Sequence, residues 1–388
     1  MTTDSQSRPK ISRLPSLTGL RFAAAVLVFL THTVDENVFR DLGVGKAYGE
    51  ALRNVGYSGV SFFFILSGFV LAWAYRPGDR AVEFWRRRAA KIYPSHLVTA
   101  LAAVVLLQVS AGQLPAVRQW LSNLLLVQSW FPQIDVTFGL NPVSWSLACE
   151  ALFYLAFPLL AAGVRRIRTE RLWYWLGALA VLVWCVPFAT SLLPATPQYA
   201  GVSIPRFWFV YAFPPVRALE FVIGIMLARL VLAGKWPKIS LLWPGLLVVL
   251  GYLLQQRVPD SWALAAAQLV PMAVLVASAA SADVRGAGSV FRGRVLVRLG
   301  EWSLAFYLIH QMILVYGHRA LGAGRTWSTW EAAGVLLLAL GCTVLLAGVL
   351  HTVVERPLYR ELGRRRSGPV RDSAPERELV GVGGGGVG

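Results

Sequence analysis

The chain has 388 residues, of which 56% are hydrophobic and only 15% charged, with a mean hydropathy of +0.56 and a net charge of +17. A soluble globule of this length cannot hide that much apolar surface, so the solvent for most of the chain is lipid. The basic balance calls for no nucleic acid, because loops facing anionic lipid account for it.

Apolar runs long enough to cross about 30 Å of hydrocarbon, roughly 20 helical residues each, are predicted at 17–34, 57–75, 94–112, 144–164, 172–188, 213–232, 239–256, 262–281, 298–316 and 332–354. They are apolar all round, as in GVLLLALGCTVLLAGVL, whereas membrane strands are shorter and alternate in polarity. The expected fold class is therefore all-α, a polytopic membrane bundle of about ten transmembrane helices.

Lys and Arg collect on alternate connections, in Arg76 to Lys91, Arg165 to Arg171 and Arg356 to Arg366. By the positive-inside rule both termini are cytoplasmic. The expected organisation is a cytoplasmic tail over 1–13, a transmembrane domain over 14–360 and a disordered cytoplasmic tail over 361–388, all in a multi-pass protein of the cell membrane.

The first run is interrupted by Arg21 and followed by no small-residue cleavage site, so it reads as a retained helix rather than a signal peptide. Residues 114–131 are amphipathic and flanked by Trp120 and Trp130, which predicts an interfacial helix. Cys149, Cys185 and Cys342 have no metal-ligand or CxxC spacing and read as core packing; no metal site is expected. No internal repeat is visible, which tells against an inverted-repeat transporter.

Ionisable residues inside lipid are costly and mark sites. Arg21 and His32 are eleven residues apart, so they share one helix face to within about 20° and stand about 16 Å apart along the axis. Taken singly, Arg21 also fits a snorkelling interfacial arginine, and His32 an ordinary interfacial histidine. In the fourth run Ser146, Glu150 and Tyr154 recur at i, i+4 and i+8 and line one side. Glu150 suits a base or a base-orienting carboxylate; an ion pair with Arg217 or another basic group is the structural alternative. In the ninth run Ser303, Tyr307 and His310 again share a face, where His310 suits either a site or an interhelical hydrogen bond. After the second run, FWRRRAAKIYP reads as a cytoplasmic loop whose Arg86, Arg87, Arg88 and Lys91 serve as a topology signal or a phosphate clamp.

The chain resembles the acyltransferase-3 membrane proteins, which O-acylate cell-envelope glycans and some secreted small molecules. The resemblance covers roughly residues 14–360. It rests on Arg21 and His32 for R-x10-H, and on Phe84, Arg87, Arg88, Ile92 and Pro94 for the basic segment after FFFILSGFVLAWAY. It continues in WSLACEALFYLAFP, in Arg217, Glu220, Phe221 and Gly224, in GEWSLAFYLIH, and in Glu355, Arg356 and Pro357. Lys91 stands where the family has an arginine, keeping the charge but losing the bidentate fork.

The resemblance implies an O-acyltransferase that uses acyl-CoA as co-substrate and binds no cofactor. The transferred group, expected to be acetyl, goes to a hydroxylated sugar or glycoside acceptor, such as an envelope polysaccharide or a macrolide-type secondary metabolite. On this reading His32 is the general base, Glu150 or a neighbour orients it, and Arg21 with Arg87, Arg88 and Lys91 holds the donor. Direct transfer and transient acylation of His32 are both open. The main alternative is a transporter or flippase of a lipid-linked sugar or acylated compound. It would share the buried charges without consuming a thioester.

Overall fold

The computed structural model describes residues 13–362, apart from 77, 79, 200 and 201. Of the expected tails over 1–13 and 361–388, residues 1–12 and 363–388 lie outside the described residues, and residues 361 and 362 are the end of the helix Arg356–Leu362 and not part of a disordered tail.

Every predicted apolar run coincides with a helix. These are α1 Pro15–Asp35, α2 Val55–Ala74, α3 Ala81–Ala111, α4 Trp145–Arg166, α5 Leu172–Ala189, α6 Pro214–Leu232, α7 Leu242–Gln255, α8 Ala266–Val284, α9 Ser303–Gly322 and α10 Thr329–Leu350. Among the described residues, seven helical stretches are long and apolar enough to cross a membrane. Of the others, α7 is apolar but only 14 residues long, and α6 and α9 carry polar groups that the bundle must enclose. Beyond the helices the described residues hold one antiparallel pair of two-residue strands, Gln198–Tyr199 with Val202–Ser203. The chain is an all-α membrane bundle.

The basic segment is helix, not loop. Its Ala, Arg and Lys residues are good helix formers, so α3 starts at Ala81 and runs on through Pro94 as one 31-residue element. The charge density and the proline read as a stop in sequence, but a buried proline is tolerated in a membrane helix whose neighbours satisfy the freed backbone. The amphipathic stretch 114–131 is likewise only partly helical, with an eight-residue helix Val117–Leu124 followed by turns. Cys149 is buried as expected, but Cys185 is exposed on α5, so it is not core packing.

Helices α2 and α6 form the centre of the bundle, and two glycines allow it. A Cβ at Gly68 would lie 1.9 Å from the Phe221 carbonyl oxygen, and one at Gly224 would lie 2.0 Å from that of Ile65. The backbones therefore touch, which is how membrane helices gain dispersion contact without a hydrophobic driving force. Phe64, Phe153 and Phe221 pack around this crossing, with Phe153 stacked on Phe221 at 4.8 Å between ring centroids.

Within this core, Arg217 and Glu220 on α6 form a buried ion pair at 3.0 Å, each only 1% exposed. Arg217 Nη2 donates to Ser61 Oγ at 3.3 Å, and its guanidinium lies 5.0 Å from the centroid of the Phe64 ring. The partner of Arg217 is thus Glu220 and not Glu150. One turn of helix separates the pair, so the carboxylate nearest in sequence compensates the charge.

Candidate active site

A cavity of about 130 Å³ opens between α1, α2, α3, α4 and α9. Its polar wall is made of Arg21, Arg88, Lys91, Glu150, Tyr154 and Ser303. The i, i+4, i+8 spacing on α4 brings Ser146, Glu150 and Tyr154 together here, and the same periodicity on α9 brings Ser303 and Tyr307.

Arg21 lines the cavity. Its Nε donates to Ser303 Oγ at 3.1 Å, tying α1 to α9. Tyr154 donates its hydroxyl hydrogen to Glu150 Oε2 at 2.7 Å, which holds the carboxylate against the chamber. Successive residues on α3 point about 100° apart, so the basic cluster divides. Arg88 and Lys91 reach the chamber, whereas Arg87 turns away and approaches Glu83 at 3.9 Å. Lys91 also pairs with Glu355, a buried carboxylate from the π-helical turn His351–Glu355 that ends α10. His351 Nδ1 lies 3.2 Å from the other oxygen of that carboxylate. Glu355 was visible in sequence only as part of a motif, because its partner Lys91 lies on a distant helix.

The chamber consequently has an excess of positive charge. Glu355 offsets Lys91, but Arg21 and Arg88 face the single carboxylate Glu150, and Nε of Arg88 is buried without a hydrogen-bond partner among the described residues. Such a cavity is built to accept an anionic or strongly polarised group.

His32 and His310 do not line the chamber but sit beyond it. Tyr307 belongs to the chamber wall, and its ring lies 6.1 Å from Phe63 on one side and 5.7 Å from His310 on the other. The two histidine rings are 5.1 Å apart between centroids, nearly perpendicular. The shared face of α1 is real: Arg21 meets the start of α9, and His32 meets the same helix two turns on. Glu150 contacts Tyr154 rather than His32, so the neighbour of His32 is His310.

A charged cavity inside an apolar helical bundle marks a membrane protein with a candidate polar site. The family follows from comparison: its acyltransferase-domain model matches residues 14–350, and the chain belongs to the acyltransferase-3 family. Acyltransferase MdmB of Streptomyces mycarofaciens is 45% identical over 95% of this chain and 98% of its own length. Nodulation protein 10 of Rhizobium leguminosarum bv. viciae is 24% identical over 78% of this chain and 82% of its own. O-acetyltransferase OatA of Staphylococcus aureus strain NCTC 8325 / PS 47 is 27% identical over 38% of this chain and 24% of its own. No solved structure matches significantly. The chain is a membrane O-acyltransferase, and as such it takes an acyl donor and a hydroxyl-bearing acceptor.

Proposed function

We infer that this enzyme moves a short acyl group, acetyl in the first instance, from acyl-CoA to a hydroxyl of a sugar or glycoside. The observation that carries this reading is the unbalanced charge of the chamber, where Arg21 and Arg88 await an anionic donor at one end of the α1 face and His32 stands at the other.

In the reaction His32 removes the proton of the acceptor hydroxyl, and that oxygen attacks the thioester carbonyl carbon. The carbon–sulfur bond breaks, and the departing thiolate takes the proton back from the imidazolium. Arg21, Arg88 and Lys91 hold the donor, and Glu150, fixed by Tyr154, orients Arg21 and Arg88 by its charge. The test is release of free thiol by the purified protein from acetyl-CoA, with and without hydroxylated acceptors. Acceptor-dependent release is expected; a preparation that consumes no acyl-CoA with any acceptor overturns the reading.

Arg88→Ala is expected to raise the Michaelis constant for the donor several-fold, and Arg87→Ala to change it less, because only Arg88 reaches the chamber. Steady-state kinetics on both variants decides; equal effects would reduce the cluster to a topology signal.

The reading also places ten spans in the cell membrane with both termini in the cytoplasm, which brings the basic start of α3 to the side where acyl-CoA is made. Reporter fusions at either end are expected to work only as cytoplasmic fusions, and activity of an extracytoplasmic reporter there would refute the orientation.

A further inference from the structure

The histidine pair contains two buried nitrogens without partners, and they are complementary. His310 is fully buried, and its Nδ1 lies 2.7 Å from the Tyr307 carbonyl oxygen one turn earlier on α9. A carbonyl only accepts, so Nδ1 carries the hydrogen and the neutral ring leaves Nε2 as a bare acceptor. That Nε2 is buried and makes no hydrogen bond, and neither does the buried Nδ1 of His32. Leaving such atoms unsatisfied costs about 1–3 kcal/mol each.

The rings around His310 are Phe29, Phe306, Tyr307 and His32. Of these, His32 is the ring with an unpaired buried nitrogen. The centroid separation of 5.1 Å is compatible with an N–H···N contact of ordinary length, about 2.9 Å, between two imidazoles. The torsion that turns a histidine ring is soft, so a turn of the His32 ring is the movement this contact calls for.

We propose that His310 is the positioning residue for His32: its Nε2 accepts the Nδ1 hydrogen of His32 and so leaves Nε2 of His32 bare to take the acceptor proton. The Tyr307 carbonyl fixes the tautomer of His310, and His310 fixes that of His32. When His32 becomes an imidazolium during transfer, the same bond stabilises it. This rests on the reading of His32 as the base, and it assigns the orienting role to an imidazole where sequence suggested Glu150.

Two conservative variants separate this role from packing. In His310→Gln the side-chain amide reaches the position of Nε2 and supplies an acceptor there. In His310→Asn it reaches only the position of Nδ1, so it keeps the bond to the Tyr307 carbonyl and loses the acceptor. Wrong orientation of a catalytic histidine costs up to about 10⁴ in turnover. His310→Asn is therefore expected to lose at least about tenfold in kcat with the donor Michaelis constant little changed, and His310→Gln to recover most of the loss. The reverse order, Asn active and Gln inactive at equal monodispersity, would show that His310 only ties α9 together and would overturn the proposal. Equal activity of both with wild type would overturn it too. His32→Ala, assayed in parallel, distinguishes failure here from failure of the base assignment, since an active His32→Ala enzyme removes the base itself.

Discussion

His32→Ala is expected to abolish acyl transfer, with a fall of about 10² to 10⁴ in turnover, the usual cost of removing a general base. The ring stands at the end of the α1 face that begins with Arg21 in the chamber, and it packs beside His310 of α9. With the proposed donor contacts on Arg21, Arg88 and Lys91, donor binding should survive the change, because His32 does not line the chamber. Binding of acyl-CoA by the variant should thus stay near the wild-type level while turnover collapses. His32 is half-buried, so truncation forfeits its ring packing against His310. Turnover and donor binding on detergent-purified variants of equal monodispersity form the check. Retention of more than about a tenth of the turnover would place the base elsewhere, below even the low end of the range for such a group.

The largest effect on stability is expected from the crossing of α2 and α6. Gly68→Ala puts a methyl carbon 1.9 Å from the Phe221 carbonyl oxygen, and Gly224→Ala puts one 2.0 Å from the Ile65 carbonyl oxygen. Both obstacles are backbone, so no side chain can swing aside, and the helices must part. Overpacking of this kind costs about 1–3 kcal/mol. The buried Arg217 and Glu220 pair lies on the same helix, and separating α6 from α2 also pulls Arg217 from Ser61. Gly163→Ala supplies the opposite sign: nothing lies within 4 Å of its Cβ position on α4, and alanine is better than glycine in a helix by up to about 1 kcal/mol. Thermal unfolding in detergent should show both crossing variants well below wild type and Gly163→Ala at or slightly above it. Wild-type melting of Gly68→Ala would mean that the backbones are not in contact.

The sequence by itself determined what depends on short spacing. The lengths of the apolar runs define the helices, since crossing hydrocarbon requires a fixed rise per residue. The common face of Arg21 and His32, and the rows Ser146, Glu150, Tyr154 and Ser303, Tyr307, follow from a helical period that is the same in any environment. What the tertiary structure alone decided is which rows face one another. It put Arg88 and Lys91 into the chamber and sent Arg87 to Glu83, because the rotation of α3 about its axis is fixed by packing and not by its charges. It joined Arg217 to Glu220 inside the core, left Glu150 to Tyr154, and set Glu355 against Lys91 from the far end of the chain. It also turned a predicted basic loop into the first turns of α3. Above all it placed His310 beside His32, a pairing that depends on how closely α1 and α9 approach. Periodicity gives each helix its faces, but the crossing geometry that pairs them is set by glycine contacts and interlocking aromatic rings between segments remote in sequence.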